Sequence, residues 1–343
     1  MKRQHVWVGM GISFALLVYL FSRIEYDQLW ISLMSANPAF LLLAGVLLVG
    51  TLAIRAWRWR YLLMPLKPVG FPSLMSATSI GMMANMILPA RLGELVRAVV
   101  LGHREQVDKS ASFATVVVER LLDGFTILFI LAVLLLLAPL PTGQDMERAL
   151  QWARWGGLVF LLVYLGVFAL LFHLYRSTTH ALQSMRRICA WLPVRWVDKL
   201  CQLLEAFSGG LKMLGERQSL VQIIAGSALL WGTFGVHNFS VVLAFQLPLP
   251  LTVGFLLVVF QAFAVMVPSS PGFVGTHHAA SVACLTLWSV NPGVALSVAL
   301  VMHALGFFLT VAIGGFYLWA AGLSLRDLTR TGTIFPRSPS SLE

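Results

Sequence analysis

The chain has 343 residues, of which 58% are hydrophobic and only 11% charged, with a mean hydropathy of +0.83. Soluble domains carry about 25% charged residues, so this composition excludes one and describes a surface that faces lipid, where an unpaired charge costs several kcal/mol. The net charge of +10 does not point to nucleic acid, because the cations concentrate in the segments between apolar runs.

The chain opens with Lys2-Arg3 ahead of an apolar run over 6–22. This resembles a signal peptide, but the run ends Phe21-Ser22-Arg23 with no small-residue cleavage site, so it reads as a retained first span. A second apolar run covers 39–54. The next region, 71–101, is apolar but broken by Pro89 and Gly93, and it holds Arg91, Glu94 and Arg97. A long run at 110–138 carries Glu119, Arg120 and Asp123 near its start. Runs at 153–173, 219–246 and 293–320 are also long enough to span, since a crossing needs about 20 residues. Between the last two lies a second broken region, 251–289, with Pro268, Ser269, Ser270, Pro271, Gly272 and Gly275.

Segment 174–218 is the one sizeable extramembrane piece. Leu182, Met185, Cys189 and Leu192, then Leu200, Leu203, Leu204, Phe207 and Leu211, recur at helical spacing among Arg186, Arg187, Arg195 and Lys199. That pattern predicts amphipathic helices on the cytoplasmic leaflet, as a lipid-sensing element or as a basic linker. The tail 321–343 is cytoplasmic in this reading, and its Ser/Pro-rich end from 331 reads as disordered. Cys189, Cys201 and Cys284 are too few and too scattered for a disulfide framework or a zinc site and read as packing thiols.

The cations set the orientation. With a cytoplasmic N-terminus and each broken region returning to its own side, segments 1–5, 55–70, 102–109, 174–218 and 321–343 hold eighteen Lys/Arg. The outside segments hold three, Arg23, Arg148 and Arg154. Making either broken region a full crossing would collapse this asymmetry. The prediction is therefore an all-α polytopic membrane protein with six spanning helices and two oppositely oriented re-entrant helical hairpins, 71–101 and 251–289. Residues 1–138 and 153–320 both read span, span, hairpin, span. Each has an odd number of crossings, so the second is inverted relative to the first. The hairpin tips match as Pro89-Ala90-Arg91-Leu92-Gly93 and Pro271-Gly272-Phe273-Val274-Gly275. Inverted repeats with broken helices near the midplane are a recurring transporter architecture.

The richest stretch runs from Asn85 to Ala98. Non-helical backbone at membrane depth is tolerated where it lines a cavity or is buried in protein. Pro89 removes an N–H and Gly93 permits a tight turn, so a new helix starting near Arg91 would aim free N–H groups at the break. The guanidinium of Arg91 can grip a phosphate with two hydrogen bonds. Glu94 and Arg97, at i,i+3 spacing, can pair, and a carboxylate of the other charged cluster is a candidate partner for Arg120 or Arg91. Glu119 and Asp123 share a helix face beside Arg120. All these charges either line a head-group cavity or form an internal ion-pair lock. Asn85, Pro89, Gly93, Ser270, Pro271, Gly272, Gly275 and His278 complete the candidate substrate-binding set. His277 and His278 are adjacent and make a poor metal pair, while His237, Asn238 and His303 are expected to bond between helices. No metal, cofactor or catalytic motif is expected.

"NMILPARLGELVRA" at 85–98, "ERLLDG" at 119–124 and "PSSPGFVGTHHAA" at 268–280 resemble the hallmark segments of the lysylphosphatidylglycerol synthase transmembrane-region family. The resemblance runs from the first span to about 320. These are flippase-like membrane proteins that include the N-terminal flippase part of the multiple peptide resistance factor. The resemblance implies a lipid-transport role in the bacterial inner membrane. No soluble aminoacyl-transferase domain follows 320 in this sequence, so the lipid-aminoacylating activity in the family's name is not expected. Many members carry a Glu three residues after the last glycine of the third motif, where this chain has His278.

The expected function is movement of a polar, anionic or phosphate-bearing lipid head group between leaflets, with no enzymatic step. The rivals are a non-transporting membrane subunit that regulates a lipid or envelope enzyme, and a small-solute transporter. The expected partners are membrane lipids, not nucleic acid, with a second copy of the chain or a lipid-synthesis enzyme as the protein partner.

Overall fold

The computed structural model describes residues 13–20, 26–88, 92–137, 144–176, 217–266 and 270–324, with isolated positions at 11, 22 and between 183 and 201. Every regular element among them is a helix. A short helical segment at 13–20 is followed by α1 (Tyr26–Ser35), α2 (Pro38–Leu63), α3 (Phe71–Ile87), α4 (Gly93–Glu105), α5 (Lys109–Leu137) and α6 (Gln144–Arg176). The second part contains α7 (Arg217–Ala244), α8 (Thr252–Met266), a 3-10 turn (Pro271–Phe273), α9 (Thr276–Thr286) and α10 (Pro292–Ala320).

Four helices are long and apolar enough to cross a bilayer: α2, α5, the stretch Ser219–Ala244 of α7, and α10, with 26 to 29 residues each. At about 1.5 Å per residue they reach roughly 40 Å, more than the ~30 Å hydrocarbon core. The expected span 153–173 lies within α6, and the expected first span coincides in part with the helix at 13–20. Most of 174–218, and the tail beyond 324, fall outside the described residues. Cys201 and Cys284 are buried free thiols, and Cys189 lies outside the described residues.

Two of the long helices start the same way. Asn37 accepts a hydrogen bond from Ala39 N at 2.9 Å ahead of Pro38, and Asn291 accepts from Gly293 N at 2.8 Å ahead of Pro292. An Asn cap supplies the acceptor for an unpaired first-turn N–H, and a following proline has no N–H to satisfy. The breaks also have local causes. Leu88 is extended, with φ −90° and ψ 144°, as a residue before proline is driven to be. On the far side, Gly93 N donates to Asn85 Oδ1 at 2.9 Å, so one side chain ties the end of α3 to the start of α4. A Cβ at Gly93 would collide with the Gly81 carbonyl and the Asn85 amide, so α3 and α4 meet backbone to backbone. In the second break Gly272 (φ +73°) and Gly275 (φ +89°) both occupy left-handed backbone that a side chain disfavours.

α2 and α7 run antiparallel. Asn37 N donates to Ala244 O at 2.8 Å at one end, and Arg58 Nη1 donates to Ser227 Oγ at 2.8 Å toward the other. Around this pair, α3 packs on α2, α4 and α10, while α8 packs on α7, α9 and α5. Two apolar cores result. One joins Trp59, Leu62, Leu74, Ile80, Leu101 and Val116, and the other joins Val241, Val253, Leu257, Leu285, Leu296 and Val298.

Candidate functional site

The fold gathers most of the predicted charges, and two unpredicted ones, into one cluster where α2, α4 and α5 meet. Arg58 and Glu119 have no exposed surface. Arg58 Nη2 lies 3.0 Å from Glu119 Oε1, and Arg58 Nη1 donates to Asp123 Oδ1 at 2.7 Å. Arg97, also fully buried, places Nη1 2.9 Å from Glu119 Oε2, while its guanidinium carbon sits 3.7 Å from the centre of the Trp59 ring. The Trp59 indole is fixed in turn by its N–H to Thr115 Oγ1 at 2.9 Å. Arg120 Nη2 reaches Glu119 Oε1 at 2.8 Å and Asp123 Oδ2 at 3.1 Å. Arg55 Nη1 stands 3.6 Å from Asp123 and 3.8 Å from Glu119. The Trp231 indole N–H donates to Asp123 Oδ1 at 3.0 Å, which brings α7 into the cluster.

Glu94 forms the outer edge. It lies 3.6 Å from Arg120 Nη1 and accepts from Asn85 Nδ2 at 3.3 Å. Arg120 keeps 35% of its side chain exposed and Glu94 18%, whereas Glu119, Arg58 and Arg97 have none. The cluster therefore has a closed end at Arg58, Glu119 and Arg97 and an open end at Arg120, Glu94 and Asn85, beside the first break. Four guanidinium groups stand against three carboxylates, a surplus of one positive charge. Several donors are also unsatisfied: Arg97 Nε and Nη2 and Arg58 Nε are buried without a hydrogen-bond partner.

Two expectations are corrected here. Glu94 and Arg97 do not pair with each other; α4 turns Arg97 inward to Glu119 and leaves Glu94 at the edge with Arg120. Arg55 and Arg58 do not belong to a cytoplasmic loop; α2 continues to Leu63 and buries both. Counting them as buried leaves sixteen cations on the assigned cytoplasmic side, still against three. Pro89 and Arg91 lie outside the described residues.

The second break has different chemistry. Gly272 is packed against the Met86 carbonyl, which a Cβ would approach to 3.3 Å, so the two breaks lie side by side. Ser270 N donates to Ser13 Oγ at 2.9 Å, and Ser270 Oγ donates to Val274 O at 3.3 Å. His303, on α10, meets Gly272 O at 2.6 Å, and His278 Nδ1 accepts from Gly275 N at 3.3 Å. The rings of His277, His278 and His303 have centroids 4.7 to 6.1 Å apart. His237 meets Ala44 O at 2.9 Å, and Asn238 donates to Gln261 at 3.1 Å, the helix-to-helix bonding expected of them. Among the described residues, no group of three His, Cys, Asp or Glu side chains has an arrangement that could hold a metal ion.

Residues 6–314 match the family model described as the lysylphosphatidylglycerol synthase TM region. The chain belongs to that family. Its relatives include the glycosyltransferase AglD of Haloferax volcanii, 27% identical over 92% of this chain but only 54% of that protein. A UPF0104 membrane protein of Methanothermobacter thermautotrophicus is 26% identical over 82% of this chain and 86% of its own length. Another, from Methanocaldococcus jannaschii, is 23% identical over 88% and 91%. The chain thus spans about half the length of the glycosyltransferase and most of the length of the two UPF0104 proteins.

In this member of the lysylphosphatidylglycerol synthase transmembrane family, seven predicted residues converge on the first site: Asn85, Gly93, Glu94, Arg97, Glu119, Arg120 and Asp123. Ser270, Pro271, Gly272, Gly275 and His278 form the second break. Arg55, Arg58, Trp59 and Trp231 were not legible as site residues. A signal existed for the arginines: Arg55 and Arg58 are three apart, on one helix face, and two nearby carboxylates on another helix needed cations.

Proposed function

We propose that this chain moves a polar lipid head group, anionic or phosphate-bearing, between the leaflets of the plasma membrane. A head group cannot enter hydrocarbon unaided, so its path needs a polar, charge-lined groove while its tails remain in lipid. The observation that carries the reading is the cationic surplus of the cluster, which opens at Arg120 beside the first helix break. Arg91 falls in the sequence between Leu88 and Leu92, the described residues on either side of the first break. The contact of Gly272 with Met86 favours one shared path rather than two separate sites. The reading gives the chain no catalytic step of its own.

The architecture that goes with it is an inverted repeat with both termini cytoplasmic, six spans and two re-entrant hairpins, α3–α4 and α8–α9. The packing pattern supports it. Exchanging α2 with α7, α3 with α8, α4 with α9 and α5 with α10 turns the helix pairs α2–α3, α3–α4, α4–α5, α3–α10 and α2–α10 into α7–α8, α8–α9, α9–α10, α8–α5 and α7–α5, all of which are packed. Equivalent helices that run antiparallel, as α2 and α7 do, are what inversion requires.

The test is reconstitution of the purified protein into liposomes carrying a panel of fluorescent and native lipids. Faster exchange of phosphate-bearing head groups than in protein-free vesicles is expected, and equal rates across the panel would end the reading. A second reading, a membrane subunit serving a lipid-modifying enzyme, has one observation in its favour: a protein named a glycosyltransferase contains a region similar to nearly all of this chain. Co-purification with such an enzyme and no exchange activity would favour it.

A further inference from the structure

The turn between Gly272 and Gly275 is held by two imidazoles that act in opposite senses. A carbonyl only accepts, so the His303 nitrogen facing Gly272 O at 2.6 Å is an N–H donor. A backbone N–H only donates, so His278 Nδ1, facing Gly275 N at 3.3 Å, is a lone-pair acceptor. His278 is the third residue of α9 and reaches back to the N–H of its cap residue. That is the place of the Glu or Gln in a capping box, residues chosen because they accept. An imidazole does this only while neutral. A proton on His303 leaves its bond to Gly272 intact, whereas a proton on His278 Nδ1 sets two donors against each other at Gly275.

We propose that the imidazoles of His278, His303 and His277 form a proton-binding site that controls how the second break is held. Neutral, the turn is clipped at both Gly272 and Gly275. With the proton on His278 it is clipped at Gly272 alone, and the first turn of α9 is released. The three rings stand close together: the His278 and His303 rings are 4.7 Å apart, His277 and His303 5.1 Å, and His277 Nδ1 is buried with no hydrogen-bond partner.

The surroundings leave these rings as the responsive groups. α8 offers Gln261, whose amide donates to Ser281 at 3.2 Å; the segment 13–20 offers Ser13; and α3 presents the Met86 carbonyl. His237, on α7, is engaged with Ala44 O, and Cys284, on α9, is fully buried. The described parts of α3, α8, α9, α10 and the 13–20 segment contain no Asp, Glu, Lys or Arg. The site is independent of which head group the first break receives.

The experiment places a cysteine at Val274 in a protein lacking Cys189, Cys201 and Cys284, in lipid nanodiscs. Its labelling by a methanethiosulfonate reagent is followed from pH 8 to pH 4 and normalised at each pH to a cysteine at the exposed Leu323. Labelling should rise several-fold on acidification. His278→Gln, which accepts from Gly275 but takes up no proton, should stay low throughout, and His278→Ala should be high throughout. The same pH-dependent rise in His278→Gln as in wild type, or no rise in wild type, would overturn the proposal. A folding defect would show as loss of the monodisperse peak, and His278→Asn, shorter by one bond but also an acceptor, then serves as the second non-titrating variant with the same two outcomes.

Discussion

Arg58 on α2 and Glu119 on α5 face each other at 3.0 Å, and neither has any exposed surface. A buried ion pair is not a large source of net stability, but removing one partner strands the other in a low-dielectric interior, at about 3–5 kcal/mol. Glu119 is also the carboxylate that faces Arg97, so its loss leaves Arg97 buried without one, while Arg58 keeps Asp123. Glu119→Gln is therefore expected to lower thermal stability in detergent by several kcal/mol, while Arg58→Ala, which leaves Glu119 with Arg97 and Arg120, and Arg120→Ala, at the open end, should each cost less than half as much. Exchanging charges as Arg97→Glu with Glu119→Arg should recover part of the loss, which a double-mutant cycle would measure.

Gly93 is required for steric reasons. Gly93→Ala would drive a methyl into the Gly81 carbonyl and the Asn85 side chain that bridges the first break. Backbone cannot yield as a flexible side chain can, so the helices must separate. The expected result is loss of monodisperse protein on size-exclusion chromatography. Gly315→Ala, where a Cβ meets open space, should behave as wild type.

Topology separates a hairpin from a full crossing. With the native cysteines removed, the proposed hairpin predicts that cysteines at Arg60 and Glu105 are both labelled from the cytoplasmic face. Labelling of position 105 from outside while position 60 labels from inside would make the first broken region a true crossing and remove the inverted repeat.

The helix breaks were legible because proline and glycine act locally: Pro89 fixes Leu88 as extended, and Gly272 and Gly275 supply positive φ. Partner choice was less so. Spacing joins Glu94 to Arg97, yet within the protein Arg97 finds Glu119 and the Trp59 ring, an arrangement that depends on how α4 is rotated against α5. Arg55 and Arg58 follow an apolar run and so look like topology anchors, and only the continuation of α2 to Leu63 buries them. The His303 contact with the second break joins residues 31 apart in sequence, a relation no local pattern encodes.

The central claim is that the open end of the cationic cluster handles a phosphate-bearing head group, and Arg120 tests it most directly. It is the partly exposed member, and its removal still leaves Glu119 paired with Arg58 and Arg97. Arg120→Ala and Arg91→Ala, reconstituted at matched density and with thermal stability verified, should each slow exchange of phosphate-bearing lipids at least tenfold. Arg120→Lys and Arg91→Lys should recover only part of the rate, because an ammonium lacks the planar two-donor fork. Wild-type exchange by both well-folded alanine variants would contradict the account and leave the cluster as an internal lock alone.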